Sequence, residues 1–324
     1  MVNIKFLDKI NLATSPWAQK FVARAILDPN YHLFAKVKIK MENMENIPKG
    51  ESVIFAMNHT DRFNYWPFQY KLLRAKDYPF TTVWVKGTYF NNKILGQLLK
   101  LCNTFPVPSK GYIIREQFKK TFQRSTTRDE YRMIKDLLDK KISLPDVLHS
   151  ASQEVRDLLS DKWGRMSSAG VSFLQFIENN YYTMMEKVAQ ISLGALFEKK
   201  LSIIIFPEGT RSVKLSEGRS GIAQLALHSE KAVIPVGCNG SEIVYPGSSP
   251  IACSGTITYR IGKPMTVHDH FKEFRIKEKF KLFSKESQQK YQEVFNAATE
   301  AMMKNIDLLL DDRYRLSNRH PGNT

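Results

Sequence analysis

Two periods of apolar and polar residues run through the chain. KVKIKME, residues 36 to 42, alternates charged and apolar positions one by one, the pattern of a half-exposed strand. Its charged face suits a sheet edge. SVIFAM, 52 to 57, and LSIIIF, 201 to 206, are unbroken apolar runs and read as buried strands. FTTVWVK (80 to 86), AVIPVGCNG (232 to 240) and GTITYRIGKPM (255 to 265) supply three more, while TFPVP (104 to 108) is assigned no element. Helical spacing fills the intervals: Phe68, Leu72 and Leu73 after Asn64, then KILGQLLKLC, a long stretch from Phe173 to Glu198, and GIAQLALHSE. Strands alternating with helices predict an α/β fold, a single mixed, partly parallel β-sheet flanked by helices.

Three segments differ in character. Residues 1–49 hold an amphipathic helix and the edge strand, 50–270 hold the α/β domain, and 271–324 form a charged helical tail. A mainly helical insertion, rich in charged residues and serine, interrupts the domain at about 111–165. Its cations Arg115, Lys119, Lys120, Arg124 and Arg128 fit a solvated helix face or a membrane-docking one. In the first helix, 16 to 29, Trp17, Phe21 and Ala25 recur every fourth residue, with Val22 and Ile26 beside them. A core-facing helix and a helix lying on lipid, with Lys20 and Arg24 near the headgroups, both fit this spacing.

Composition narrows the partners. Of 324 residues, 43% are hydrophobic and 25% charged, ordinary for a folded soluble chain. Lysine and arginine exceed the acids to give a net charge of +16, which calls for an anionic partner: nucleic acid, a phosphorylated metabolite or an acidic lipid surface. No zinc-finger, RRM or helix-turn-helix pattern supports nucleic acid. Cys102, Cys238 and Cys253 form no CxxC pair and read as small core residues in a reduced compartment. VHDH, 267 to 270, lacks a third ligand, so no metal is expected there, and no motif implies a cofactor. No run approaches the roughly 20 apolar residues of a membrane-spanning helix, and the N-terminus lacks a signal-peptide core. The expected location is cytoplasmic, peripheral at the cytoplasmic face of a membrane.

Two stretches carry candidate chemistry. In AMNHTDRFNYWPF, 56 to 68, His59 follows a buried strand. A neutral imidazole there suits a general base near neutral pH, best when an acceptor fixes its tautomer. Asp61 and Asn64 are the nearby acceptors. In PEGTR, 207 to 211, Gly209 permits close backbone approach, Thr210 offers a hydroxyl, and Arg211 can grip phosphate at two points. In an α/β sheet, ligands bind beyond the carboxyl ends of strands, so both stretches are expected to face one crevice.

Five segments in order resemble the blocks of the glycerophosphate and lysophosphatidate acyltransferase family: NHTDRFN (58 to 64), VKGTYF (85 to 90), FPVP (105 to 108), IIIFPEGTRS (203 to 212) and AVIPV (232 to 236). The resemblance spans about 50 to 265, and FPEGTRS is its most specific piece. It implies transfer of a fatty acyl group from acyl-CoA or acyl carrier protein to the hydroxyl of a lysophospholipid or glycerophosphate-type acceptor, with His59 as base. The family's NH box places an aspartate five residues after the histidine, where this chain has Asn64. Glu208, Gly209 and Arg211 match the acceptor-binding motif, and Lys86 matches a lysine of the second block. The family's arginine after that block's Pro-Val is replaced by a nearby Lys110. An amide oxygen can still accept from an imidazole N–H, and Asp61 offers a charged alternative. An anionic membrane surface, the acyl donor and the lysophospholipid are the implied partners. A relative that binds lipid or a partner without turnover is the competing reading.

Overall fold

The alternating and apolar runs become one seven-stranded sheet. The computed structural model describes residues 2–161 and 171–316. The strands are β1 (Val37–Glu42), β2 (Ile54–Met57), β3 (Thr81–Lys86), β4 (Thr104–Val107), β5 (Ser202–Ile205), β6 (Val233–Asn239) and β7 (Gly255–Ile261). Their spatial order is β1-β7-β6-β2-β5-β3-β4. Pairing is parallel between β1 and β7, β2 and β6, β2 and β5, and β3 and β5; β6 and β7 are antiparallel. The mixed, mostly parallel sheet is the expected fold class. β2 is central and buried at all four residues, while β1 lies at an edge with alternating exposure. β4 escapes a sequence reading because it is four residues long and contains Pro106. It occupies the other edge, where a missing N–H is tolerated.

The chain divides into two compact units: residues 10–84, 98–105 and 189–316, and residues 2–9, 85–97 and 106–188. The first holds the sheet except the last two residues of β3 and of β4. Its crossovers are helical, Tyr65–Ala75 following β2 and Gly221–Ser229 preceding β6. Residues 10–49 and 271–316 belong to it as well. The tail is helical over Lys285–Lys290 and Gln292–Asp307, and the long helix buries Phe295, Ala298, Met302 and Ile306. Cys238 is buried, but Cys253 is exposed, so the expectation of three core cysteines fails at the loop before β7.

The first helix also departs from one of its two readings. It begins as an α-helix over Trp17–Val22 and widens into π turns over Ala23–Leu27 and Asn30–Phe34. The side chains turned inward are Ala18, Ala23, Leu27 and Tyr31, whereas Trp17, Phe21 and Ile26 are exposed. The every-fourth-residue line is therefore not the core-facing one. Two alanines on the inner face let the helix sit close to its neighbours.

The second unit holds the helices Lys110–Phe122, Arg128–Leu138, Leu144–Ser150 and Gln153–Leu159, in the stretch read as an insertion. Its last residues, 162–165, lie outside the described residues. Thr127 and Ser143 close capping boxes at two of these helices, satisfying their first N–H groups. Arg124 is not simply solvated. It binds Glu130 and Glu154, and its guanidinium holds the Glu130 carboxyl down at about 2.

Candidate active site

Two loops leave the carboxyl ends of neighbouring parallel strands. Ile54, Phe55 and Ala56 of β2 pair with Ile203, Ile204 and Ile205 of β5, so the segments beginning at Asn58 and Phe206 start side by side. The loops then bind each other. The backbone N–H of His59 donates to Glu208 Oε1 at 2.7 Å, and Ser212 N–H donates to the His59 carbonyl at 2.9 Å. The His59 ring stacks on Phe206 with centroids 4.1 Å apart and planes 18° from parallel. Stacking sets the plane of the imidazole from one side.

Glu208 braces this pair of loops. It is buried. Oε1 accepts from His59, and Oε2 accepts from both the N–H and the hydroxyl of Ser216 at 2.9 Å. Sequence matching assigns Glu208 to the acceptor, yet both of its oxygens are engaged within the protein. Burial raises its pKa, against the pull of the donors from His59 and Ser216.

Gly209 follows at φ +65°, a left-handed conformation that side chains disfavour. A Cβ there would also lie 2.8 Å from Nε of Arg219. Arg219 is anchored through its own N–H to the Pro207 carbonyl at 2.8 Å and crosses the glycine. Thr210 and Arg211 stand exposed beyond it. No sequence signal singled out Arg219, because its place over the turn depends on a loop closing back ten residues later.

Asn58 locks the first loop to the other neighbour of β2. Its Nδ2 donates to the Cys238 carbonyl at 3.0 Å and its Oδ1 accepts from Cys238 N–H at 2.7 Å. The side chain thus imitates one more peptide of the β2–β6 ladder. Asn64 is fully buried at the start of the next helix. Its Nδ2 donates to the Asn58 carbonyl at 2.7 Å, and its own carbonyl accepts from the Tyr259 hydroxyl at 2.5 Å. Asn64 Oδ1 is buried and accepts no hydrogen bond among the described residues.

Comparison with known proteins gives little beyond this geometry. No family model matches the chain, and no curated protein matches it. Among solved structures the chain is similar to the crystal structure of the 1-acyl-sn-glycerophosphate (LPA) acyltransferase PlsC from Thermotoga maritima. Identity is 14%, the TM-score is 0.40, and the match covers 87% of this chain and 80% of that one. The functional reading rests on the two loops themselves.

The remaining candidates are placed as follows. Asp61 is buried in its own turn: Oδ1 accepts from Phe63 N–H at 2.7 Å and Oδ2 from the Thr60 hydroxyl at 2.9 Å. This Asx turn gives each oxygen a donor from its own segment. Lys86, the last residue of β3, belongs to the second unit and is exposed.

Burial raises the Asp61 carboxyl above its usual range, and donors from Ser241, Phe63 and Thr60, in that order, oppose the rise. A carboxyl with a higher pKa folded than unfolded favours the fold below about pH 4, and that favour is lost as pH rises through the folded value. Asp61→Asn does not titrate. Its stability relative to the parent should therefore increase from about pH 4 toward neutrality. Urea unfolding across that range measures this; a gap independent of pH would contradict it.

Proposed function

We propose that the chain is an O-acyltransferase moving a fatty acyl group from a thioester donor, acyl-CoA or acyl carrier protein, to the hydroxyl of a lysophospholipid or glycerophosphate-type acceptor. The observation that carries this reading is the bonded pairing of the His59 loop with the PEGTR loop at adjacent strand ends. In the reaction, His59 takes the proton from the acceptor hydroxyl as its oxygen attacks the thioester carbonyl. The tetrahedral intermediate collapses, the carbon–sulfur bond breaks, and the proton passes from the imidazolium to the departing thiolate. A base in that position typically contributes about a hundred- to ten-thousand-fold. Arg211, exposed at the loop crest, is the group suited to the acceptor's phosphate. Glu208 acts by holding the His59 backbone in place. Purified protein incubated with acyl-CoA or acyl carrier protein and a panel of lysophospholipids tests the proposal through acyl incorporation.

One observation favours the competing reading of a lipid binder without turnover. Asn64 points its amide N–H₂ at the Asn58 carbonyl, and an amide gives no charge to stabilise an imidazolium. Its Oδ1 remains the one side-chain acceptor it can offer an imidazole N–H. The same geometry bears on aspartate at position 64. A carboxylate there would face the Asn58 carbonyl in a fully buried site. Asn64→Asp is therefore expected to cost about 2–4 kcal/mol of stability, from a lost hydrogen bond and a buried charge. Asn64→Ala should cost less and lower turnover. Urea midpoints with initial rates check both; an Asn64→Asp variant as stable and active as the parent would contradict the role assigned to this amide.

A further inference from the structure

The segment that follows the helix Gln292–Asp307 reaches back to the supports of both loops of the site. Tyr314 is its anchor and is 1% exposed. The Tyr314 carbonyl accepts from Leu215 N–H at 2.7 Å. The Tyr314 hydroxyl accepts from Gly240 N–H and donates to Glu242 Oε1, both at 2.8 Å. Arg313 binds the same Glu242 oxygen and lies over the Tyr314 ring, 4.5 Å from its centroid. One residue thus holds two segments that are remote in sequence.

Each held segment leads to His59. Leu215 is buried, and the next residue, Ser216, gives Glu208 both its N–H and its hydroxyl. Glu208 in turn accepts from His59 N–H. Gly240 follows β6, where Cys238 exchanges two hydrogen bonds with the side chain of Asn58, the neighbour of His59. Ser241, after Gly240, is buried with its hydroxyl toward Asp61. Both routes stay within the unit that holds most of the sheet.

Further contacts fix where the segment lies. Asp311 N–H donates to Asn239 Oδ1 at 2.8 Å, and Asn239 Nδ2 donates back to the Leu309 carbonyl at 3.3 Å. A Cβ at Gly237 would stand 2.6 Å from the Leu309 carbonyl oxygen, and one at Gly218 would stand 2.7 Å from Met303 and Thr299. The tail therefore presses on β6 and on the return of the PEGTR loop with no room for a side chain between them. Burial of Phe295, Ala298, Met302 and Ile306 suffices to dock the helix. The hydroxyl of Tyr314 adds something else. Buried polar networks rigidify the parts they join, and here they join the two loops on either side of one imidazole.

We infer that Tyr314 is a positioning residue for His59, its carbonyl and hydroxyl together setting the spacing of the two loops. Buried, it is closed to substrate and acts through Leu215 and Gly240. The kinetic arm of its test rests on the acyltransferase reading; the spectroscopic arm does not.

The test is Tyr314→Phe in the full chain, which keeps the ring and the carbonyl and leaves Gly240 N–H without its acceptor. The His59 ring stacks on Phe206, so ring current makes its NMR resonance a reporter of loop geometry. In histidine-labelled protein that resonance, assigned by its loss in His59→Ala, should move in Tyr314→Phe. The control is Leu196→Ala, a buried side chain beside Ser52 at the amino end of β2, away from the strand ends that carry the loops. It should lower the urea midpoint and leave the His59 resonance in place. Turnover of Tyr314→Phe should fall about tenfold in kcat, with KM for donor and acceptor unchanged, because small misplacements of a catalytic group are costly. A parent without turnover would defeat the acyltransferase reading and leave the resonance to decide the role of Tyr314. An unmoved His59 resonance in Tyr314→Phe would overturn the inference, whatever the rate. So would equal movement in Leu196→Ala, or a raised KM with kcat retained.

Discussion

His59→Ala should lower acyl transfer by about a hundred- to ten-thousand-fold, the usual loss with a general base, while the fold remains. What ties this residue into the site is its backbone, N–H to Glu208 and carbonyl to Ser212, and alanine keeps both bonds. The side chain stacks on Phe206. The expected signature is thus a collapse of kcat with a near-parental urea midpoint. A folded variant with near-normal turnover would remove His59 from the chemistry.

The second large effect is expected at Glu208. Glu208→Ala removes the acceptor from the N–H groups of His59 and Ser216 and from the Ser216 hydroxyl. Leaving buried donors unsatisfied costs about 1–3 kcal/mol each. Relief of burying the carboxylate offsets part of this, so a net loss of about 2 kcal/mol is expected. Turnover should fall at least about tenfold, because small misplacements of a catalytic group are costly. The informative measurement is the split between constants. A brace between loops predicts a lowered kcat with the acceptor KM little changed. A carboxylate that binds the acceptor directly predicts the opposite, a raised KM with kcat retained.

Much of the fold was legible because hydrophobic period reflects burial directly. The unbroken runs became the central strands β2, β5 and β6, and the alternating KVKIKME became an edge strand. β4 was not legible, since four residues with a proline give too weak a period. The first helix was legible only in part. Its fourfold spacing of apolar residues was plain, but spacing alone does not say whether protein or lipid covers the face. The inner face is built of alanines, Leu27 and Tyr31, which only tertiary contact reveals.

At the site, the motifs located both loops, and strand order explains why they meet. The roles within them were less legible. Glu208 looks like a ligand for substrate in a linear sequence and Asn58 carries no signal of its own, yet the structure engages them with backbone groups 149 and 180 residues away. Asp61 likewise takes donors from Phe63 and Thr60 in its own turn, which spacing alone does not reveal. Arg219 gave no signal because its position depends on the left-handed turn at Gly209.

The central claim is that the His59 and PEGTR loops form one acyl-transfer site. A single-turnover assay of parent and His59→Ala with labelled acyl-CoA or acyl carrier protein and a lysophospholipid tests it most directly. The expected result is labelled diacyl product from the parent, with formation abolished in the folded variant. Lipid bound by both proteins with no product from either, across the donor and acceptor panel, would contradict the claim and leave a lipid-binding protein in its place.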